Sequence, residues 1–303
     1  MPSRTPRTPP ARTRESLSPT ERFRTVDRYR ADREWRRYEG TGQRDLFREL
    51  RERFLIRHAV DQGWVLDLGS GPGRFLPFAG RGGARRVALD LSREMLSLIP
   101  ETWAASASVG PVPDRVLGNA LCPPLELAQW SEVLAVGNTL GFAGDEAEKM
   151  LTQAENLVAT GGSIVIEIAP GPGERSSYLA RLPPTSVARI LRAPVKAVLG
   201  RLDREPFRVE PVRRAAGGSF RRFSAIEIHD RWRNAGWELT ETVAVAPCLG
   251  PDQRRIDAVK ADEASWKHLL TLEEEVGRRP ERWEQAAAVL LSARRAGSKR
   301  TIK

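Results

Sequence analysis

The stretch Val65-Leu66-Asp67-Leu68-Gly69-Ser70-Gly71-Pro72-Gly73-Arg74-Phe75-Leu76 constrains the fold more than any other part of the chain. A short apolar run with one acidic residue near its end reads as a buried strand. Three glycines at alternate positions then mark a sharp turn where backbone comes close to a ligand. Phe75, Leu76 and Phe78 resume an apolar face and predict a helix packed back on the strand. Strand, glycine turn and helix make the first unit of an open α/β sheet, whose ligands bind beyond the carboxyl ends of the strands.

Spacing narrows the ligand. The dinucleotide fingerprint G-x-G-x-x-G needs its third glycine for close packing of the helix. Here the pattern is Gly69-x-Gly71-x-Gly73, and Arg74 stands where that glycine would be. A second acid, Asp90, lies near the end of the apolar run 86–92. It follows the turn at the distance of about 20 residues where nucleotide-binding sheets place a ribose-binding carboxylate. Its two oxygens can accept from both ribose hydroxyls. The competing reading makes Asp90 a cap for a helix over 93–99, for which Ser92 is the better cap.

Asp67, the three glycines and Asp90 in register resemble the first motif of class I S-adenosylmethionine-dependent methyltransferases. The resemblance covers roughly residues 41–295. It implies an α/β fold: a seven-stranded, mostly parallel, doubly wound sheet with N-terminal helices and a lid insertion. It also implies S-adenosyl-L-methionine as cofactor, held by Asp67, Gly69, Ser70, Gly71, Gly73, Asp90 and Leu91. At the end of the third strand (114–118) the family often has an acidic residue and Ala, which hold the adenine amino group. This chain has Asn119-Ala120 instead, and an amide carbonyl can still accept from that amine. The fourth strand, 133–136, ends in the family toward the transferred methyl group. That makes Asn138 a contact of the methionine part, and Asn138 and Thr139 candidates for the reaction chamber. Tyr38, with Tyr29 and Thr41, sits on helices that either reach cofactor and substrate or only pack. The N-P-P-Y and D-P-P-Y segments used by base and glutamine aminomethylases are absent, and Pro247-Cys248 falls too far downstream for a cytosine-C5 mechanism.

Residues 1–17 are Arg, Pro, Ser and Thr with almost no apolar content and are expected to be a disordered basic tail. A helical cover follows over 18–60: Ser18-Pro19-Thr20-Glu21 starts one helix that runs to about Tyr38. Leu46, Phe47, Leu50, Phe54 and Leu55 stripe a second. The main domain spans 61–295. In it a helix over 145–159, stopped by Gly161-Gly162, precedes a fifth strand over 163–169. Glu167 interrupts that strand, either at the active-site end or satisfied by a neighbour. Residues 171–219 read as an arginine-rich lid insertion and 251–284 as a helical one. Between them come a helix over 223–236 and a strand over 238–246, and the run 287–295 resembles the family's last, antiparallel strand, before a short tail at 296–303.

With 303 residues and 40% hydrophobic content the chain has ample core, and no apolar stretch approaches the roughly 20 residues of a membrane span. The start has no apolar leader, and Cys122 and Cys248 have no metal-type spacing; both point to free thiols in a cytoplasmic protein, with no metal. A net charge of +10 suits polyanions or acidic substrates, or reflects an arginine bias of the source genome. The resulting expectation is a methyltransferase for a small or medium-sized acceptor, anionic if the insertion's arginines face it. The alternatives are an RNA or protein methyltransferase, or a non-catalytic cofactor-binding scaffold. His229, His58 and His268 are expected to be structural.

Overall fold

The computed structural model describes residues 42–106, 108, 110–170, 173–176, 178–204, 208–211, 221–250, 252–284 and 286–297. The tail 1–17, the first helix of the cover, and Tyr29, Tyr38 and Thr41 lie outside the described residues. The strands are β1 (Gln62–Leu68), β2 (Gly83–Asp90), β3 (Asp114–Leu117), β4 (Trp130–Ala135), β5 (Val158–Ile168), β6 (Gly173–Ser176), β7 (Arg208–Pro211), β8 (Trp237–Ala244) and β9 (Val289–Arg295). Seven of them form one sheet in the order β3-β2-β1-β4-β5-β9-β8. The first five are parallel, and β9 runs antiparallel between β5 and β8. The strand order reverses at β1 and β4, so their carboxyl ends flank the crevice where such sheets bind ligands.

The near-continuous apolar strands are buried on both faces. Val65, Leu134, Val165 and Leu290 face one apolar layer, shared with α1 (Gly42–His58). Leu66, Val133, Ile164 and Leu291 face the other. In α1, Leu46, Leu50, Phe54 and Leu55 are buried, each burial contributing roughly 1.5–3 kcal/mol. This helix is therefore part of the sheet's packing. Its last turn is also pinned by charge, because Arg57 and His58 both meet Glu241 of β8. Burial opposes ionisation of Glu241, but His58, Arg57 and Arg278 outweigh it and hold the carboxyl down to about 2.

Three helix expectations are corrected. After the glycine turn there is only a single 3-10 turn, Leu76–Phe78. The connection from β1 to β2 is short, Pro77 and Gly80 interrupt it, and Arg86 gathers the carbonyls of Leu76, Ala79, Gly80 and Ala84 instead. The helix expected over 93–99 is α2 (Arg93–Ser97), followed by a separate α3 (Ile99–Ala105). Pro100 has no N–H to continue the ladder, so the chain breaks at Leu98 and restarts. Then come α4 (Thr139–Phe142) and α5 (Ala147–Leu157). Here Gly161-Gly162 does not stop the helix. It lies inside β5, which begins at Val158, and a register shift between Trp130 and Glu132 of β4 accommodates it. A Cβ on Gly162 would press on the carbonyls of Trp130, Ala159 and Ser131.

The insertion begins and ends in the two-stranded antiparallel pair β6–β7, which brackets α6 (Tyr178–Arg181), α7 (Pro184–Leu191) and α8 (Val195–Leu202). Val187, Leu191, Val198 and Leu202 join the same apolar layer as α1, while Arg181, Arg189, Arg192, Arg201 and Arg204 are exposed. The remaining helices are α9 (Ala225–Asn234), α10 (Gln253–Lys260), α11 (Glu263–Gly277) and α12 (Pro280–Trp283). Among the described residues no helix is long and apolar enough to cross a membrane.

Candidate functional site

The turn after β1 is built by hydrogen bonds from neighbouring strand ends. Gly69 N and Ser70 N both donate to Leu89 O of β2, at 2.7 and 3.1 Å. Gly71 N donates to Asp90 Oδ2 at 2.8 Å, and Ser92 N to Asp90 Oδ1 at 2.8 Å. The Asp90 carboxylate thus fastens the glycine turn to β2. Ser92 itself caps α2 by accepting from Met95 N, as its sequence position suggests. Burial pushes the Asp90 carboxyl up, and the amides of Ser92, Gly71 and Leu91 oppose this.

Gly69, Gly71 and Gly73 all have positive φ, at 66°, 54° and 76°. Two of them have different reasons to be glycine. A side chain on Gly69 would run into the methyl group of Thr139, so the ends of β1 and β4 touch there. A side chain on Gly71 would meet nothing within 4 Å. Gly71 thus leaves open space beside a left-handed residue, at the carboxyl edge of the sheet.

Asp67 is 1% exposed, and neither carboxyl oxygen has a hydrogen-bond partner among the described residues. Burial, and secondarily the charge of Asp90, push its carboxyl well above the usual range. A buried carboxyl without a donor is costly unless something supplies one. The site therefore suits a group carrying N–H donors or positive charge. Ser70 is also buried, its hydroxyl directed at Gly71 O.

Leu91, next to Asp90 at the end of β2, is a large apolar side chain left 40% exposed. Gly118 N donates to Asp90 O, which brings Asn119 and Ala120 next to the end of β2. Asn119 Oδ1 accepts from Leu121 N at 2.9 Å, closing a local turn with one lone pair left over. On the other side, Asn138 has φ 65°, and its Oδ1 is buried without a partner among the described residues. Thr139 donates its hydroxyl to Val136 O at 2.9 Å. The structure thus brings the candidates on β1, β2, β3 and β4 to one edge; Tyr38 is outside the described residues.

Glu167 resolves as a partnered group that sequence reading left open. It is 1% exposed and receives a two-pronged ion pair from Arg51 of α1, Nε at 2.8 Å and Nη2 at 2.6 Å. Gly137 N also donates to it, at 2.9 Å. Arg51 was not singled out in the sequence, where it sits 116 residues away and looks like any arginine on a helix. Each histidine has a hydrogen-bond partner within the fold: His229 pairs with Thr242, His58 with Glu241 and His268 with Leu191 O. Both cysteines are free.

No protein-family profile matches the chain, and neither does any curated protein sequence. Solved structures do match. The fold these elements define is that of class I S-adenosylmethionine-dependent methyltransferases. Magnesium protoporphyrin IX methyltransferase (ChlM) from Synechocystis PCC 6803, solved with bound S-adenosylhomocysteine, aligns over 90% of this chain and 99% of its own, at TM-score 0.50 and 13% identity. The Burkholderia thailandensis 1,6-didemethyltoxoflavin-N1-methyltransferase covers 96% and 94%, at 17% identity and TM-score 0.48. The [4+2]-cyclase SpnF covers 82% and 80%, at 11% identity and TM-score 0.48.

Proposed function

We propose that the chain is a methyltransferase that binds S-adenosyl-L-methionine at this edge and methylates a small or medium-sized acceptor. The observation that carries the reading is the combination of a donorless buried carboxyl at Asp67 with the open backbone cradle at Gly71. When bound, the cofactor supplies an electrophilic methyl group on a sulfonium. Asp67 suits its ammonium end, and Asp90 keeps lone pairs for ribose hydroxyls while still holding Gly71 and Ser92. Leu91, Asn119 and Ala120 provide an apolar and amide surface for the base, and Gly69, Ser70 and Gly73 shape the turn beneath it. Asn138 and Thr139 line the methyl end.

The chain's contribution to rate is positioning. Holding acceptor and methyl in line supplies about 7–11 kcal/mol of barrier lowering without a dedicated base. The three histidines are engaged elsewhere in the fold, which agrees with that economy. An acceptor of this size fits the name of the Synechocystis magnesium protoporphyrin IX enzyme. The insertion 171–219 is proposed to close over the acceptor.

The test is thermal unfolding with S-adenosylmethionine, S-adenosylhomocysteine or NAD. At a hundred times the dissociation constant, ligand adds about 2.7 kcal/mol, a rise on the order of 5 °C. A shift with NAD alone would overturn the cofactor. Methylation of a metabolite pool, followed by mass spectrometry, then identifies the acceptor. Salt-sensitive RNA binding without metabolite turnover would turn the reading toward RNA methylation.

A further inference from the structure

We infer that Arg51 and Glu167 are a positioning pair that makes α1 a working part of the cofactor site. The inference rests on the cofactor reading above. It starts from the corner after β4, where Gly137 and Asn138 both have positive φ, at 77° and 65°. Such a conformation in asparagine is uncommon and persists where surroundings hold it. Three holds are visible. Thr139 ties back to Val136 O, its methyl group lies against Gly69, and Gly137 N is bound by Glu167 Oε2.

Glu167 is itself held by one partner on a different element. It lies near the carboxyl end of β5, and Arg51 grips both its oxygens. Charge-assisted forks of this kind fix geometry as well as adding energy. The oxygen that receives Gly137 N also receives Arg51 Nε, so the guanidinium sets where the corner's amide sits. Asn138 follows, with its Oδ1 buried and donorless. The chain of contacts Arg51, Glu167, Gly137, Asn138 runs from α1 to the methyl end of the crevice. A carboxylate that served only to pair with Arg51 would not need to bind the corner as well.

Arg51→Met, Arg51→Lys and a remote control, Arg231→Met, distinguish positioning from general stabilisation. Arg231 pairs with Glu155 at 2.6 Å, linking α9 to α5 on the opposite face of the sheet. Binding of S-adenosylhomocysteine is measured by titration calorimetry. Hydrogen exchange is followed in the peptide containing residues 136–142. Arg51→Met is expected to weaken binding about tenfold or more, with faster exchange in that peptide. Arg51→Lys, which keeps the charge but not the fork, should fall between. Arg231→Met should lower the melting temperature while leaving affinity and corner exchange unchanged. If Arg51→Met fails to fold, Arg51→Lys alone decides: unchanged affinity and unchanged exchange overturn the inference. Equal affinity losses in the Arg51 and Arg231 variants also overturn it. No binding of S-adenosylhomocysteine by the unaltered protein overturns the cofactor reading instead, before any variant is compared.

Discussion

Two alanine substitutions in one turn should separate what the turn does for the fold from what it does for a ligand. At Gly71, φ is 54° and a new Cβ meets nothing within 4 Å. Gly71→Ala therefore costs only the left-handed backbone, about 1 kcal/mol. In a domain of this size that lowers melting by about 2–4 °C. At Gly69 the same backbone cost applies, but the Cβ would collide with the Thr139 methyl. Thr139 can move only by giving up its bond to Val136 O. Overpacking of this kind typically costs 1–3 kcal/mol, so Gly69→Ala should lose roughly 2–4 kcal/mol in all. For ligand the order reverses in character. Gly71→Ala fills the cradle, so the folded protein should lose most of its thermal shift with S-adenosylhomocysteine. Melting curves of both variants, with and without that compound, make the comparison. A full ligand shift in Gly71→Ala would refute the cradle, and equal destabilisation of the two variants would refute the packing argument.

Other outcomes follow from buried charge and from the insertion. Glu132 in β4 is fully buried, with no partner in hydrogen-bond geometry among the described residues, and burial raises its carboxyl from 4.5 to about 7 despite the nearby backbone of Val60 and Gly80 and the charge of Arg86. Between those values the native state binds more protons than the unfolded chain, so this group's contribution falls as pH rises. At about 1.4 kcal/mol per unit the loss by pH 8 is about 3 kcal/mol. Denaturant melts from pH 4.5 to 8 should show Glu132→Gln gaining on the unaltered protein by that order; parallel profiles would reject the assignment. Asp67→Asn removes a carboxyl whose ionised form is penalised by burial, so the ligand-free protein should gain stability relative to the unaltered chain as pH rises. The same change should weaken S-adenosylhomocysteine binding, and tight binding by the variant would remove Asp67 from the site. Replacing Arg175, Arg181 and Arg189 together with Gln should lower acceptor turnover and leave S-adenosylhomocysteine affinity intact. Full turnover would rule out their orienting the acceptor.

Much of the fold was legible because its signals are local. Apolar runs of strand length, the glycine turn and Ser92 each act within a few residues, and the sheet order follows from stringing such units together. The misreadings have non-local causes. Nothing near Phe75 announces that Arg86, in the next strand, will bind four carbonyls and make a helix unnecessary. Gly161-Gly162 is a strong stop signal by composition, yet the close approach of the β4 carbonyls makes glycine necessary inside the strand. Local propensity gave way there to the packing of a neighbouring element.

The same division runs through the site. Asp67, Gly71 and Asp90 belong to a single strand–turn–strand unit, so spacing alone brings them together. Asn119 and Asn138 join because β3 and β4 lie beside that unit in a parallel sheet. Arg51 had no such signal: its partner lies 116 residues away, and only the packing of α1 on the sheet brings the two within bonding distance. Glu167 was visible as an oddity, because ionising a carboxylate in a continuous apolar strand is costly without a partner. Its partner was not visible. Burial alone does not guarantee such a partner, since Asp67 and Glu132 are equally buried and unpartnered among the described residues; Glu167 is paired because the element over its end of β5 is α1, ahead of β1 in the chain. The proposed ligand contacts lie at strand ends that the topology aligns, whereas the pair proposed to hold them in place comes in part from an element docked on the sheet. Substitutions in α1 should accordingly perturb a site to which that helix contributes no residue of the glycine motif.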